Sequence, residues 1–179
     1  DDILLKGKHN LSNFIASATA AKILNVKNKK IKKTMELFTG IKHRLQFVKS
    51  IKGSYYFNDS KATNISSVIA AIKSFNAPII LLLGGKNKDS DFRLLLPHTK
   101  RHVKHIVSFG EAGGEIATAI GDAVRLDTTS SLNQAVASAH KIASPGDIIL
   151  MSPGCASFDE FKNFEKRGEK FIKMVNELK

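Results

Sequence analysis

One cysteine stands in 179 residues, Cys155. An internal disulfide is therefore excluded, which agrees with a reducing compartment. Arginine is scarce as well: of 28 Lys and Arg residues, only Arg44, Arg93, Arg101, Arg125 and Arg167 carry a guanidinium, and no basic run is interleaved with aromatics. Base readout leans on arginine and base stacking on aromatics, so the net charge of +12 does not point to nucleic acid. A positive field suits small anions such as nucleotides equally well. No apolar run approaches the roughly 20 residues that cross a bilayer, and Asp1-Asp2-Ile3 lacks the basic flank of a signal peptide. The expectation is a cytoplasmic protein with no membrane and no nucleic-acid partner.

Several catalytic signatures are missing too. There is no Gly-x-x-x-x-Gly-Lys-[Ser/Thr] phosphate loop, no Gly-x-Gly-x-x-Gly after a strand and no Gly-x-Ser-x-Gly nucleophile turn. The six histidines, His9, His43, His98, His102, His105 and His140, show no metal-ligand spacing, so no metal site is expected. Cys155 has no His and Asp at a fixed spacing and reads as a small buried hydrophobe. If the protein handles ATP, its phosphate cradle has to come from elsewhere.

What is present is an α/β pattern in a chain long enough for one domain and a small appendage. After a short apolar run, Ile3-Leu4-Leu5, that could end a strand, Leu11 to Leu24 repeats at helical spacing with Asn10 as its N-cap. A second helix is expected over about 29–39, stopping at Gly40, with Lys27-Asn28-Lys29-Lys30-Ile31-Lys32-Lys33 as its solvated entry. Arg44 to Ile51 alternates like a half-buried strand, Lys52-Gly53 reads as a hairpin turn and Ser54 to Phe57 returns. Apolar strands then alternate with helical stretches: strands at 79–83, 105–109, 124–126 and 148–151, and helices at 65–75, near Arg93, near Ile116, at 131–143 and at 159–178. Continuous apolar strands between amphipathic helices predict an open, mostly parallel, Rossmann-like sheet with helices on both faces over residues 41–179, preceded by a helical appendage over 1–40.

In such a sheet ligands bind beyond the carboxyl ends of the strands. Three polar loops fall there. Asn58-Asp59-Ser60-Lys61-Ala62-Thr63-Asn64 concentrates a carboxylate, a cation, two hydroxyls and two amides between a strand and a helix, although the same residue types serve ordinary turns and caps. Gly84-Gly85-Lys86-Asn87-Lys88 combines cations with glycines that let backbone approach a ligand, or simply make a turn. Ser152-Pro153-Gly154-Cys155-Ala156-Ser157 leads toward the last helix, whose open N-terminus suits a carboxylate or phosphate. Phe158, Phe161 and Phe164 are spaced as one core-facing stripe of that helix. Cationic and dipolar loops around one crevice imply an anionic ligand.

Five separated motifs carry a resemblance. They are Gly7-Lys8-His9-Asn10-Leu11-Ser12-Asn13, Thr39-Gly40-Ile41-Lys42-His43-Arg44, Phe57 to Asn64, Leu83-Gly84-Gly85 with Lys88 and Asp91-Phe92, and Ser152 to Asp159 continuing through Phe161 to Gly168. In order and spacing they resemble the bacterial Mur ligase family, and within it the ligases that add D-glutamate. The resemblance implies three domains in the intact enzyme, of which residues 1–40 would be the end of the central ATPase domain and residues 41–179 the Rossmann-like C-terminal domain; alone, the fragment should be inactive. It implies an ATP-dependent, monomeric, amide-forming ligase of peptidoglycan precursor synthesis, in which D-glutamate attacks an acyl phosphate of UDP-N-acetylmuramoyl-L-alanine, with Mg2+ ligands in the missing central domain. Asn13, Arg44, Asp59 and Lys61 would contact ATP; Thr63, Lys88, Ser157 and Phe158 would hold D-glutamate, with Phe164 as a wall; Lys61 and Lys88 would carry the catalytic charge. His9 and Asn10 match the motif without an assigned role. Phe109-Gly110-Glu111 lacks the arginine that often follows Phe-Gly in the family, which puts a peripheral contact in doubt. The alternative reading is a stand-alone nucleotide- or anion-binding module without catalysis.

Overall fold

The computed structural model describes residues 8–179, which divide into two compact units between Ile41 and Lys42. In the first, α1 (Lys8–Ile23) and α2 (Asn28–Leu37) are joined by a left-handed Asn25 (φ 58°). Val26 N–H donates to Ala21 O and Asn25 N–H to Lys22 O, so the last carbonyls of α1 are satisfied by the turn itself. Phe14 is buried edge-on against Phe38 at 6.1 Å. The expected N-cap Asn10 lies inside α1, because the helix already includes Lys8. Likewise α2 ends at Leu37, where Phe38 turns extended; Gly40 takes a positive φ but stands beyond the helix end. No residue of α2 is buried, and Lys32 pairs with Glu36 at 3.5 Å, which matches a solvated basic helix. The Ile3-Leu4-Leu5 run lies outside the described residues.

In the second unit the alternation of apolar strands and helices builds a six-stranded sheet from the described residues. The strands are β1 (Gln46–Ile51), β2 (Ser54–Asn58), β3 (Ile79–Gly84), β4 (Val103–Phe109), β5 (Leu126–Thr129) and β6 (Ile148–Gly154), in the order β1-β2-β6-β3-β4-β5. Only the β1–β2 hairpin is antiparallel; its turn has Lys52 and Gly53 both at positive φ, the twist that suits a two-residue hairpin. The other pairs are parallel. Between the strands run α3 (Ile65–Ile72), α4 (Leu96–His102, after a 3-10 turn over Phe92–Leu95), α5 (Gly113–Ile120) and α6 (Leu132–Ile142), with α7 (Phe164–Glu177) last.

Both faces of the sheet are covered, as the strand composition requires. Ile79, Leu81 and Leu83 of β3 pack with α3, the segment 92–95 and α5, while Ile80 and Leu82 point the other way, into a second core shared with α6 and α7. The connection after β3 therefore leaves toward one face and that after β6 toward the other. Two adjacent strands whose connections diverge make a crevice at their carboxyl ends.

Several boundaries differ from the sequence pattern: β1 starts at Gln46 and not at Arg44, α3 ends at Ile72 and not at Phe75, and β4 starts at Val103 and not at His105; two more differences have a visible cause. The fifth strand begins at Leu126 and not at Val124, because its ladder pairs Ile106 with Leu126 through Phe109 with Thr129, and β-branched Thr128 and Thr129 extend it. The last helix begins at Phe164 and not at Asp159: Asn163, extended at φ −162°, accepts from Lys166 N–H at 2.8 Å and caps it. Before it, Phe161 N–H donates to Ser157 O at 2.7 Å, closing a separate turn.

Candidate functional site

The loop after β2 is fixed by its own polar atoms. Asn58 Oδ1 accepts from Ser60 N–H at 3.1 Å, while its Nδ2 donates to His43 Nδ1 at 2.9 Å and to Gly168 O at 3.2 Å. With the amide oriented this way, His43 Nδ1 can only accept, so the imidazole is neutral. Burial lowers the His43 pKa, against the opposing charges of Glu169 and Glu165. Lys61 N–H donates to His43 O at 3.0 Å, and Asn64 caps α3 through Ser67 N–H at 2.9 Å. The loop is thus a turn and cap, and its exposed Lys61 and Thr63 are left to face outward.

Asp59 faces inward, only 4% exposed. Its Oδ1 accepts from Leu45 N–H at 3.1 Å and its Oδ2 from the Ser152 hydroxyl at 2.7 Å. Burial pushes the carboxyl up to about 6, although these two hydrogen bonds and the charge of Arg44 pull it down. Asp59 therefore joins β6 and the segment before β1 to the top of β2.

The glycine pair after β3 does something other than leave room for a ligand. Gly84 (φ 153°) and Gly85 (φ 122°) sit in backbone conformations that side chains rarely adopt. A Cβ on Gly84 would meet Phe109 O, and one on Gly85 would meet Ala156 O. The space is filled by neighbouring protein backbone, so the expected close approach is made by the end of β4 and the loop after β6. Lys86 and Ala156 exchange backbone hydrogen bonds at 2.9 and 3.0 Å, stitching the second and third loops together. Lys86 pairs with Glu111 at 3.4 Å and Asn87 Nδ2 donates to Glu115 at 2.8 Å, which leaves exposed Lys88 with its Nζ 5.2 Å from the centre of the Phe158 ring.

The third loop is buried from Ser152 to Ser157 and then turns outward. Phe158 is 61% exposed, Phe161 packs at the edge of the α6–α7 core and Phe164 is half-buried, so the three do not form one core stripe. The reason is the start of α7: only Phe164 lies in the helix. The loop is separated from that helix by the 157–161 turn, so the expected grip at an open helix N-terminus is replaced by the Asn163 cap. Cys155 is buried, its thiol pushed up to about 12 by burial, as a small apolar residue would be placed.

Sequence reasoning gave Arg167 no role, yet it ties these loops together. Its guanidinium is fully buried. Nε donates to Ser60 Oγ at 3.0 Å, Nη2 to Ser60 O at 2.9 Å and to Cys155 O at 3.1 Å, and Nη1 to Cys155 O at 3.1 Å and Ala156 O at 3.2 Å. Burial lowers its pKa to about 10, so the cation persists at neutral pH, held by carbonyl oxygens. The available signal was position: Arg167 stands four residues before Phe171 on the buried stripe of an otherwise charged helix.

Around this frame the structure brings together Lys61 and Phe164, with Nζ 4.2 Å from the ring centre, and Lys88 and Phe158. Thr63 and Ser157 lie on the same two loops. Arg44 is exposed just before β1, and Asn13 is exposed on α1 of the other unit. The expected end of α1 nearest His9 and Asn10 offers no described side chain. Among the described residues no cluster of His, Cys, Asp or Glu is placed to hold a metal ion, and no helix is long and apolar enough to cross a membrane.

Comparison with known proteins shows the family. Residues 43–155 match the family model described as the Mur ligase glutamate ligase domain. The chain is 42% identical to the UDP-N-acetylmuramoylalanine--D-glutamate ligase of Bacillus cytotoxicus and 43% identical to the protein of the same name from Bacillus mycoides; each alignment covers 99% of this chain and 40% of the relative. The chain thus spans 40% of the length of these curated relatives. Among solved structures it superimposes on a pseudomurein peptide ligase type C from Methanothermus fervidus with a TM-score of 0.75 at 14% identity, covering 99% of this chain and 37% of that one. MurF from Acinetobacter baumannii gives a TM-score of 0.71 at 18% identity, covering 96% and 39%. At these identities the likeness is one of fold.

Proposed function

This chain belongs to the Mur ligase family, carrying its glutamate ligase domain, and on that premise we propose that it is the amino-acid-supplying part of an ATP-dependent ligase joining D-glutamate to UDP-N-acetylmuramoyl-L-alanine. In this reading residues 41–179 are the C-terminal domain, residues 1–40 close the central ATPase domain, and the enzyme is a cytoplasmic monomer. The observation that carries it is the pair of lysines held over aromatic rings at the carboxyl ends of the parallel strands, Lys61 over Phe164 and Lys88 over Phe158. Two cations at one crevice suit a dicarboxylate amino acid beside a phosphate.

In this reading the roles are divided among the side chains of the three loops and their flanks. Lys88, exposed and off the Gly-Gly loop, pairs with a carboxylate of D-glutamate; Thr63 and Ser157 offer hydroxyls, Phe158 covers the ligand and Phe164 walls it. Lys61 neutralises developing phosphate charge, and Arg44 and Asn13 reach the nucleotide. Asp59 has both carboxylate oxygens engaged within the protein, so its contribution to the nucleotide site is to hold the segment that carries Arg44. ATP supplies the activation of the alanyl carboxyl. Among the described residues no cluster of carboxylates converges to hold magnesium, and in this reading its ligands lie mainly in the central domain that this chain lacks. The work left to this chain is positioning of the amine and electrostatic neutralisation.

The test is Lys88→Ala in the full-length protein. Loss of a charge-assisted contact to substrate of about 2 kcal/mol raises the D-glutamate KM roughly 30-fold. An unchanged D-glutamate KM would remove Lys88 from the site.

A further inference from the structure

Ser60 is fully buried and every polar atom it has is in use. Its N–H donates to Asn58 Oδ1 at 3.1 Å, its hydroxyl donates to Phe164 O at 2.8 Å and accepts from Arg167 Nε at 3.0 Å, and its carbonyl accepts from Arg167 Nη2 at 2.9 Å. It has no surface left for a substrate. What it touches, however, reaches three walls of the crevice. Lys61 follows it directly in the chain and Thr63 stands three residues on. Its bond to Phe164 O anchors the first residue of α7, whose ring lies under Lys61. Through Arg167 it is connected to the carbonyls of Cys155 and Ala156, next to Ser157 and Phe158.

We infer that Ser60 is a positioning residue for the amino-acid site, a single hydroxyl joint that sets the distance between the loop after β2, the loop after β6 and the first turn of α7. The inference rests on the D-glutamate reading above. A hydroxyl suits the position because the joint must donate in one direction and accept from the other within two bonds of the backbone. Alanine would leave the buried Arg167 Nε–H without its partner and cut the link from the loop to the Phe164 carbonyl, and each loop would then relax separately. Displacements of about 1 Å at a site that works by positioning are costly to function long before they unfold a domain.

Steady-state kinetics of the full-length protein carrying Ser60→Ala test this, with Ser60→Thr as the variant that keeps the hydroxyl. The joint predicts that Ser60→Ala raises the D-glutamate KM about tenfold while kcat falls less than threefold, and that Ser60→Thr restores most of the KM. A merely structural serine would lower the active fraction, reducing kcat at unchanged KM in both variants, and that result would overturn the inference. If the wild-type protein fails to use D-glutamate at all, the functional reading is what fails. Hydrogen exchange then still decides the joint: Ser60→Ala should speed exchange at the Lys61 and Ala62 amides at least tenfold with β3 unchanged, and equal rates in the two proteins would refute it. Should Ser60→Ala not fold, Arg167→Lys, which keeps the charge without the Nε donor, must give the same split between KM and kcat or the joint is wrong.

Discussion

The Asp59 carboxylate and the Ser152 hydroxyl meet at 2.7 Å, joining the end of β2 to β6 directly beneath the candidate site. The same carboxylate holds Leu45 N–H, so one buried acid fixes three segments. It does so at a cost, because burial holds its pKa near 6.

Replacing that acid by its neutral isostere should therefore stabilise the protein. In Asp59→Asn the amide oxygen keeps the bond from Leu45 N–H and the amide nitrogen donates to Ser152. A folded pKa raised from 3.8 to about 6 means that the native state holds a proton which the unfolded chain has released, so wild-type stability falls as pH rises through that window. A rise of this size corresponds to on the order of 3 kcal/mol at neutral pH. Denaturant unfolding from pH 4 to 8 should show the advantage of Asp59→Asn growing from near zero at the acid end to its full value above about pH 6.5. A constant difference across that range would mean the carboxyl is not perturbed.

A second buried contact predicts the opposite sign. Gly168 lies flat against the His43 ring, and a Cβ there would run into Nδ1, the atom that accepts from Asn58. The ring is buried and cannot swing away. Gly168→Ala should cost about 3 kcal/mol by overpacking, in spite of alanine's better helix propensity. Thermal unfolding reads this directly; a variant as stable as wild type, or more so, would show that the His43 pocket gives way freely.

Much of the architecture was legible because the central strands are continuous apolar runs and the helices carry caps, as at Asn64 and Ser131. The three loops at the carboxyl ends were legible as polar segments punctuating that pattern. Their internal division of labour was not. Nothing local separates an outward Lys61 from an inward Asp59 two positions earlier; the difference is made by Leu45 and Ser152, 14 and 93 residues distant. The glycine pair looked like room for a ligand because a sequence does not state which backbone will occupy the space beside it. Arg167 was hidden for a related reason: a lone arginine in a charged helix looks solvated until the carbonyls of Ser60, Cys155 and Ala156 converge on it. The start of α7 was misjudged because Phe158 and Phe161 continue the spacing of Phe164 although a separate turn carries them.

On the proposed function, the crevice receives D-glutamate for amide formation. ATP-dependent ligation by the full-length wild-type protein, followed as phosphate release with UDP-N-acetylmuramoyl-L-alanine and either D- or L-glutamate, tests it most directly. Phosphate release is expected with D-glutamate and at least tenfold less with L-glutamate, because a site built from Lys88 and the Thr63 and Ser157 hydroxyls would hold the amino acid from fixed directions. Turnover that ignores the glutamate enantiomer, or that requires a different amino acid, would contradict it.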